Sequence, residues 1–308
     1  MSTSPDAARA RALFHLRSGR PHEAIEAFCE SLALDPDDAP THAWLALALL
    51  SARRLGAARI EAELAVGIAA DAPLPLYALG RVHLAERRYK DAEATFRALL
   101  AIEPDDDANH RALAEVYIAR ARWADALAAL EKARALDPTS ADTLADIAEV
   151  HLRLGRLREA ESTAREALEA SPEHAGALVV MGWLLLRRGE AAEAREHAVT
   201  VLRIQPLHEG ATALLVGVKA RSSRVLGVWW RYNTWLAGLG PRAITVMLGG
   251  FAAYQILSFL AADFGPAGLA DLLQVVWLGF VAYTWFGPAM FRRTLEKELA
   301  PVTLRGDF

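Results

Sequence analysis

Nine histidines, one cysteine and a run of three aspartates are the residues of this 308-residue chain with chemistry to offer. The histidines are His15, His22, His42, His83, His110, His151, His174, His197 and His208, spaced singly rather than gathered. A zinc hydrolase of the HExxH type needs two histidines one helical turn apart around a glutamate, and that pattern does not occur. No Walker-type glycine loop occurs either, and Gly238, Gly240 and Gly249-Gly250 read as loop or packing glycines. Asp105-Asp106-Asp107 could ligate a hard cation, yet directly behind Pro104 three acids suit the positive end of a starting helix. Cys29 would be a nucleophile only beside a positioned base in an electropositive pocket. Alone on a helix it reads as a buried core thiol, and a single cysteine forms no intrachain disulfide. No catalytic, metal or cofactor site follows, so the expectation is a protein that is not an enzyme, with no small-molecule substrate.

The elements that carry these residues repeat. Pro36, Pro104, Pro138, Pro172 and Pro206 stand on one ladder of 34-residue rungs, with Ala70 on the vacant rung. Ala24, Ala58, Ala92, Ala126, Ala160 and Ala194 recur at the same interval, as do Ala12, Ala46, Gly80, Ala114, Ala148 and Gly182. Small residues at fixed spacing let paired helices approach closely. Four places after each alanine of the first column comes Phe28, Ala62, Phe96, Leu130, Ala164 or Ala198. Gly19, Gly155 and Gly189 fall where a helix would end and a positive φ is wanted. Asp37, Asp105, Ser140 and Ser171 cluster at the turns between repeats, where helix starts and caps prefer such residues.

A 34-residue helix–turn–helix period is that of the tetratricopeptide repeat. The chain resembles that superfamily over roughly residues 5–222, best in its third copy, where Leu79-Gly80, Tyr89, Ala92, Phe96 and Pro104 stand at the signature positions. The second copy departs most, for it lacks the proline and its Gly56 lies three places late, so an irregular inner turn is expected there. The resemblance implies an all-α solenoid of about six helix pairs, closed by a capping helix over Glu209–Ala220. It also implies a concave groove lined by the first helix of each repeat, reached by Arg9 and Leu13, Ala43 and Leu47, Tyr77 and Arg81, Arg111 and Glu115, Ala145 and Glu149, Val179 and Trp183. Aromatic and arginine side chains anchor interfaces, which singles out Tyr77, Arg81, Arg111, Glu115, Glu149 and Trp183 as the protein-binding set. The alternative is that Tyr77 and Trp183 fill the junctions between repeats while the charges are solvated. The Lys/Asn clamp by which some relatives hold a C-terminal carboxylate is missing. Only Asn109 and Asn233 are present, and Lys90, Lys132, Lys219 and Lys297 are off the groove positions.

Composition separates the two ends of the chain. Charged residues are dense through Arg224 and sparse afterwards, and Trp229, Trp230, Trp235, Trp277 and Trp285 fall in the last third. The net charge of −4 argues against a nucleic-acid partner, which calls for a basic domain. Residues 243–262 and 272–291 carry no charge, and each run has about the 20 residues a helix needs to cross a bilayer. Only 263–271 separate them, so the expectation is a transmembrane hairpin over 243–291. Arg224, Arg231 and Arg242 precede it, and Arg292, Arg293 and Lys297 follow it. The connecting loop has Asp263 and Asp271 but no basic residue. The positive-inside rule then places both termini in the cytoplasm. Trp229, Trp230, Tyr232 and Trp235 crowd the 223–242 linker next to Arg231, as rings at a membrane interface do.

The start of the chain lacks the apolar stretch of a signal peptide, which leaves no reason to expect export. The alanine- and arginine-rich, lysine-poor composition points to a bacterial inner membrane. Together these give an expected scaffold: a solenoid over 5–222, the linker, the hairpin in the lipid bilayer, and a cytoplasmic tail over 292–308. Its expected partners are proteins or peptides held in the groove. The other reading is a subunit of a larger membrane complex, with the hairpin making the specific contact.

Overall fold

Helix starts fall on two ladders with the sequence period. α1 (Pro5–Arg17), α3 (Ala39–Ser51), α5 (Pro73–Ala85), α7 (Asp107–Ala119), α9 (Ala141–Arg153) and α11 (Ala175–Arg188) begin 34 residues apart. So do α2 (Pro21–Leu34), α4 (Leu55–Ile68), α6 (Tyr89–Ile102), α8 (Trp123–Leu136), α10 (Leu157–Ala170) and α12 (Ala191–Ile204). α13 (Glu209–Ser222) starts one period after α11, where the capping helix is expected. This computed structural model describes residues 4–222, 242–264, 268–269 and 271–279, without the side chains of 222, 242–244, 246–248, 250 and 264.

The chain divides after Ala177 into two compact units. In the first, α1/α2, α3/α4, α5/α6, α7/α8 and α9/α10 are helical hairpins, joined in series by α2 on α3, α4 on α5, α6 on α7 and α8 on α9. The small-residue columns are its core. Ala24, Ala58, Ala92, Ala126 and Ala160 are fully buried, as are Ala12, Ala46, Ala114 and Ala148. Gly80 is a glycine for a reason: a Cβ there would come within 2.7 Å of the Phe96 ring. In the second unit Gly182 plays the same part, with Leu214 of α13 occupying the place of its missing side chain.

Helix starts share one capping column. Ser4, Asp106 and Ser140 accept the N–H of Ala7, Asn109 and Thr143 at 3.2, 3.0 and 3.3 Å. His174 and His208 do the same through Nδ1, accepting from Ala177 and Ala211 at 3.2 and 3.1 Å. The cap of α7 is therefore Asp106, one place past the expected Asp105. Ala72 cannot cap α5, so the junction with no proline also has no cap.

The inner turn of the second copy is regular, which corrects the expectation. All six inner turns place one residue at positive φ: Gly19, Arg53, Arg87, Ala121, Gly155 and Gly189. At the second, the Arg54 N–H donates to the Leu49 carbonyl at 2.8 Å and Arg53 to Leu50 at 2.9 Å, matching Arg20 to His15 and Gly19 to Leu16. This is the Schellman closure of a helix end. Its paired hydrogen bonds hold the conformation even without glycine. An L side chain there costs about 1–2 kcal/mol, against roughly 0.5–1 kcal/mol for the extra freedom glycine loses on folding. Arg53→Gly, Arg87→Gly and Ala121→Gly are each expected to stabilise the chain by about 0.5–1 kcal/mol in urea unfolding. Gly155→Ala should do the reverse.

The second unit also contains a 23-residue helix, Arg242–Phe264, and a helical stretch over 271–279. Tyr254 and Trp277 stack at 4.5 Å between ring centroids, and Phe251 meets Trp277 at 5.9 Å, so the two segments touch. Phe251, Ile256, Leu257, Phe259, Leu260, Leu272, Val275, Val276 and Leu278 are nonetheless exposed. Among the described residues no helix is long and apolar enough to cross a membrane. Trp229, Trp230, Tyr232, Trp235, residues 265–267 and 270 of the connecting loop, and 280–291 of the second apolar run lie outside the described residues.

Candidate partner-binding site

Three first helices of the first unit bring the charged members of the candidate set together. Arg81 on α5 donates to Glu115 on α7 at 2.8 Å, and these two residues are one period apart. Arg111 on α7 pairs with Asp142 on α9 at 2.5 Å. Glu149 is held by Arg153 on its own helix at 3.0 Å. The ladder also starts early, since Arg9 on α1 reaches Asp38 at 2.6 Å.

Burial works against the charge of Arg81, but Glu115 outweighs it and holds the guanidinium above its ordinary range. Arg111 is likewise raised, burial being overcome by its bond to Asp142. For Asp142, burial is overcome by hydrogen bonds from His174 and Arg111, and its carboxyl falls below the usual range. Arg81, Glu115 and Arg111 are partly buried and Asp142 is exposed, so both pairs link neighbouring helices and stay accessible at the surface.

The aromatic members are placed differently. Tyr77 is partly buried, its ring edge-on to Phe96 at 6.2 Å between centroids. Trp183 belongs to the second unit and lies against Gly217 of α13, where a Cβ would come within 3.0 Å of the indole. Both rings thus help to fill junctions between helices while keeping part of their surface.

Two residues of this face escaped the sequence reading. Asp146 is the fifth member of the column Ala10, Trp44, Ala78, Ala112, Asp146, Val180. A carboxylate among small and apolar residues was the available signal. Trp44 is the other; with Leu47 it forms a partly buried apolar stretch on α3, packed on the core. Asp146 has no hydrogen bond or ion pair among the described residues, although Arg111 is near enough to be felt.

The residues first weighed for chemistry have structural places. His42 meets Glu61 at 2.6 Å and the Pro36 carbonyl at 2.9 Å, and His110 meets the Pro104 carbonyl at 2.8 Å. Burial pushes the imidazoles of His83 and His151 down, which favours their neutral form. Cys29 is exposed rather than buried, because it follows Phe28 on α2 and only Phe28 turns into the core. Partial burial, then Glu61 and Glu26, push its thiol up, the opposite of an activated cysteine. Among the described residues no group of His, Cys, Asp and Glu converges as a metal site.

Family models described as tetratricopeptide repeat match residues 5–50, 83–130, 117–165 and 146–208. The chain carries tetratricopeptide repeats. Solved structures agree on the fold. A chain of the Cut9–Hcn1 hetero-tetramer of the APC/C superposes with a TM-score of 0.60 at 19% identity, covering 69% of this chain and 42% of that one. This chain therefore spans less than half the length of that relative. A thermophilic tetratricopeptide protein of Thermus thermophilus gives 0.56 at 22% identity, covering 59% of this chain and all of that one. The pilF protein of Pseudomonas aeruginosa gives 0.54 at 18% identity, covering 68% and 95%. None of the curated proteins matches the sequence significantly. Tetratricopeptide domains generally mediate protein–protein interactions, and the face built by α5, α7 and α9 is this array's candidate for one.

Proposed function

We propose that this protein is a membrane-tethered tetratricopeptide scaffold that holds a protein or peptide partner on the face formed by its first helices. The observation that carries the reading is the alignment of Tyr77, Arg81, Arg111, Glu115 and Glu149 on three successive first helices. Arginine and aromatic side chains that keep surface are the usual anchors of an interface.

The tether rests on the uncharged runs 243–262 and 272–291 and on the basic residues flanking them. Exposed Ile256, Leu257, Phe259, Val275 and Val276 support it, since apolar patches of that kind mark a membrane or a partner surface. The proposed location is a bacterial inner membrane with both termini in the cytoplasm, and Trp229, Trp230, Tyr232 and Trp235 at the headgroup level. Tethering raises local concentration, so weak contacts on the groove suffice.

A subunit of a larger membrane complex is the second reading, favoured by the same exposed apolar helices if they contact protein. Replacing residues 243–291 with an unrelated hairpin separates the two. A scaffold is expected to keep its captured partner and its resistance to alkaline extraction from membranes. Loss of the partner with membrane attachment intact would transfer recognition to the hairpin.

A further inference from the structure

The charges on this face do not balance, and the remainder identifies a class of partner. Arg81 has Glu115, Arg111 has Asp142, and Arg153 has Glu149. Among the described residues the fourth carboxylate, Asp146, is left with no cation of its own, between Glu115 and Arg111 on α7 and Asp142 and Glu149 on α9. Four of the five other members of its column are Ala or Val, so packing does not ask for an acid there.

We infer that the face takes a basic protein segment, with an arginine or lysine of the partner set against Asp146 and apolar side chains over Trp44, Leu47 and Tyr77. The inference rests on the reading that this face is the binding surface. Trp44 and Leu47 share the repeat positions of Asp146 and Glu149, so the 34-residue period puts the apolar and acidic ends on one face. A guanidinium or ammonium at Asp146 would form the charge-assisted hydrogen bond that the described residues do not supply. An acidic segment would meet Glu115, Asp142, Asp146 and Glu149 and be repelled. Arg111, already bonded to Asp142, cannot turn to Asp146 without leaving Asp142 to His174 alone.

The carboxyl of Asp146 is pushed up to about 7, by burial first and then by Glu115, with Arg111 opposing and Glu149 and Asp142 adding to it. Affinity for a basic segment is therefore expected to rise as pH passes from 6 to 8.

The test uses the full chain in nonionic detergent and two labelled peptides of equal length, by fluorescence anisotropy at about 150 mM salt. One carries leucine–arginine pairs in a glycine–serine frame, the other leucine–glutamate pairs. The arginine peptide is expected to bind about tenfold tighter or more, and Asp146→Asn to remove about tenfold of that affinity. Glu169→Gln, an exposed control on α10, is expected to change nothing. Equal binding of the two peptides, binding of neither, or an unchanged affinity in Asp146→Asn would overturn the inference. If instead the glutamate peptide binds and Trp44→Ala with Leu47→Ala abolishes it, the face still holds a partner and only the basic chemistry is wrong.

Discussion

Replacing Phe96 with alanine is expected to destabilise the fold by about 3–5 kcal/mol, the usual range for emptying a buried aromatic site. The ring is fully buried on α6 and occupies the space that Gly80 leaves by having no side chain. Alanine would therefore leave a cavity beside Gly80, which has no side chain to fill it. The effect spreads because a repeat array is held by nearest-neighbour contacts, and the third hairpin links the first two to the fourth and fifth. Phe96→Leu is the milder change, expected to cost about 1.5 kcal/mol or less, since Leu130 holds the same position in the fourth hairpin. Tyr77 would lose its edge contact in the alanine variant, so partner capture should weaken although Tyr77 itself is unchanged. Urea unfolding followed by circular dichroism checks the order; an alanine variant as stable as the parent would contradict this account of the core.

Asp146→Asn is expected to act in the opposite direction, stabilising the chain at pH 8 by roughly 2 kcal/mol. The folded carboxyl titrates at about 7, against about 3.9 in an unfolded chain. Between those values the folded protein keeps a proton that the unfolded one has released. Its contribution to stability is thus complete below about pH 4 and lost as pH rises through 7. Three pKa units set a ceiling of about 4 kcal/mol, and partial exposure reduces it by about half. Asparagine never ionises, so the two proteins should converge near pH 4 and separate above pH 7. Thermal unfolding across that range reads it directly. An asparagine variant less stable than the parent at pH 8 would mean that Asp146 has an internal cation after all. Gained stability with lost affinity for a basic segment is the pattern expected of a residue kept for binding.

Most of the fold was legible because each column had a packing reason. The small residues at Ala12, Ala46, Gly80, Ala114, Ala148 and Gly182 set helix approach, and the prolines marked the turns. The regular turn at Arg53 was not legible. Its conformation is imposed by two backbone hydrogen bonds, and neither depends on the side chain that occupies it. Cys29 was misread because one position on a helix turns a side chain by about 100°, and residue type alone did not say that Phe28 would take the core. In the candidate site, Arg81 and Glu115 could be placed on one face by the period. Their pairing with each other, and of Arg111 with Asp142, depends on which side chains meet across neighbouring helices. Asp146 was visible as an acid in an apolar column, but its missing partner appears only once the three neighbouring arginines are seen engaged elsewhere.

The central claim is that this face holds a protein partner at a membrane. Crosslinking capture from intact membranes, read by mass spectrometry, tests it most directly. The native chain would be compared with one carrying Tyr77→Ala, Arg81→Ala and Arg111→Ala, both verified as helical and membrane-bound. The account predicts a partner captured by the native protein and lost in the variant. The same partner captured equally by both would contradict it and move recognition off this face.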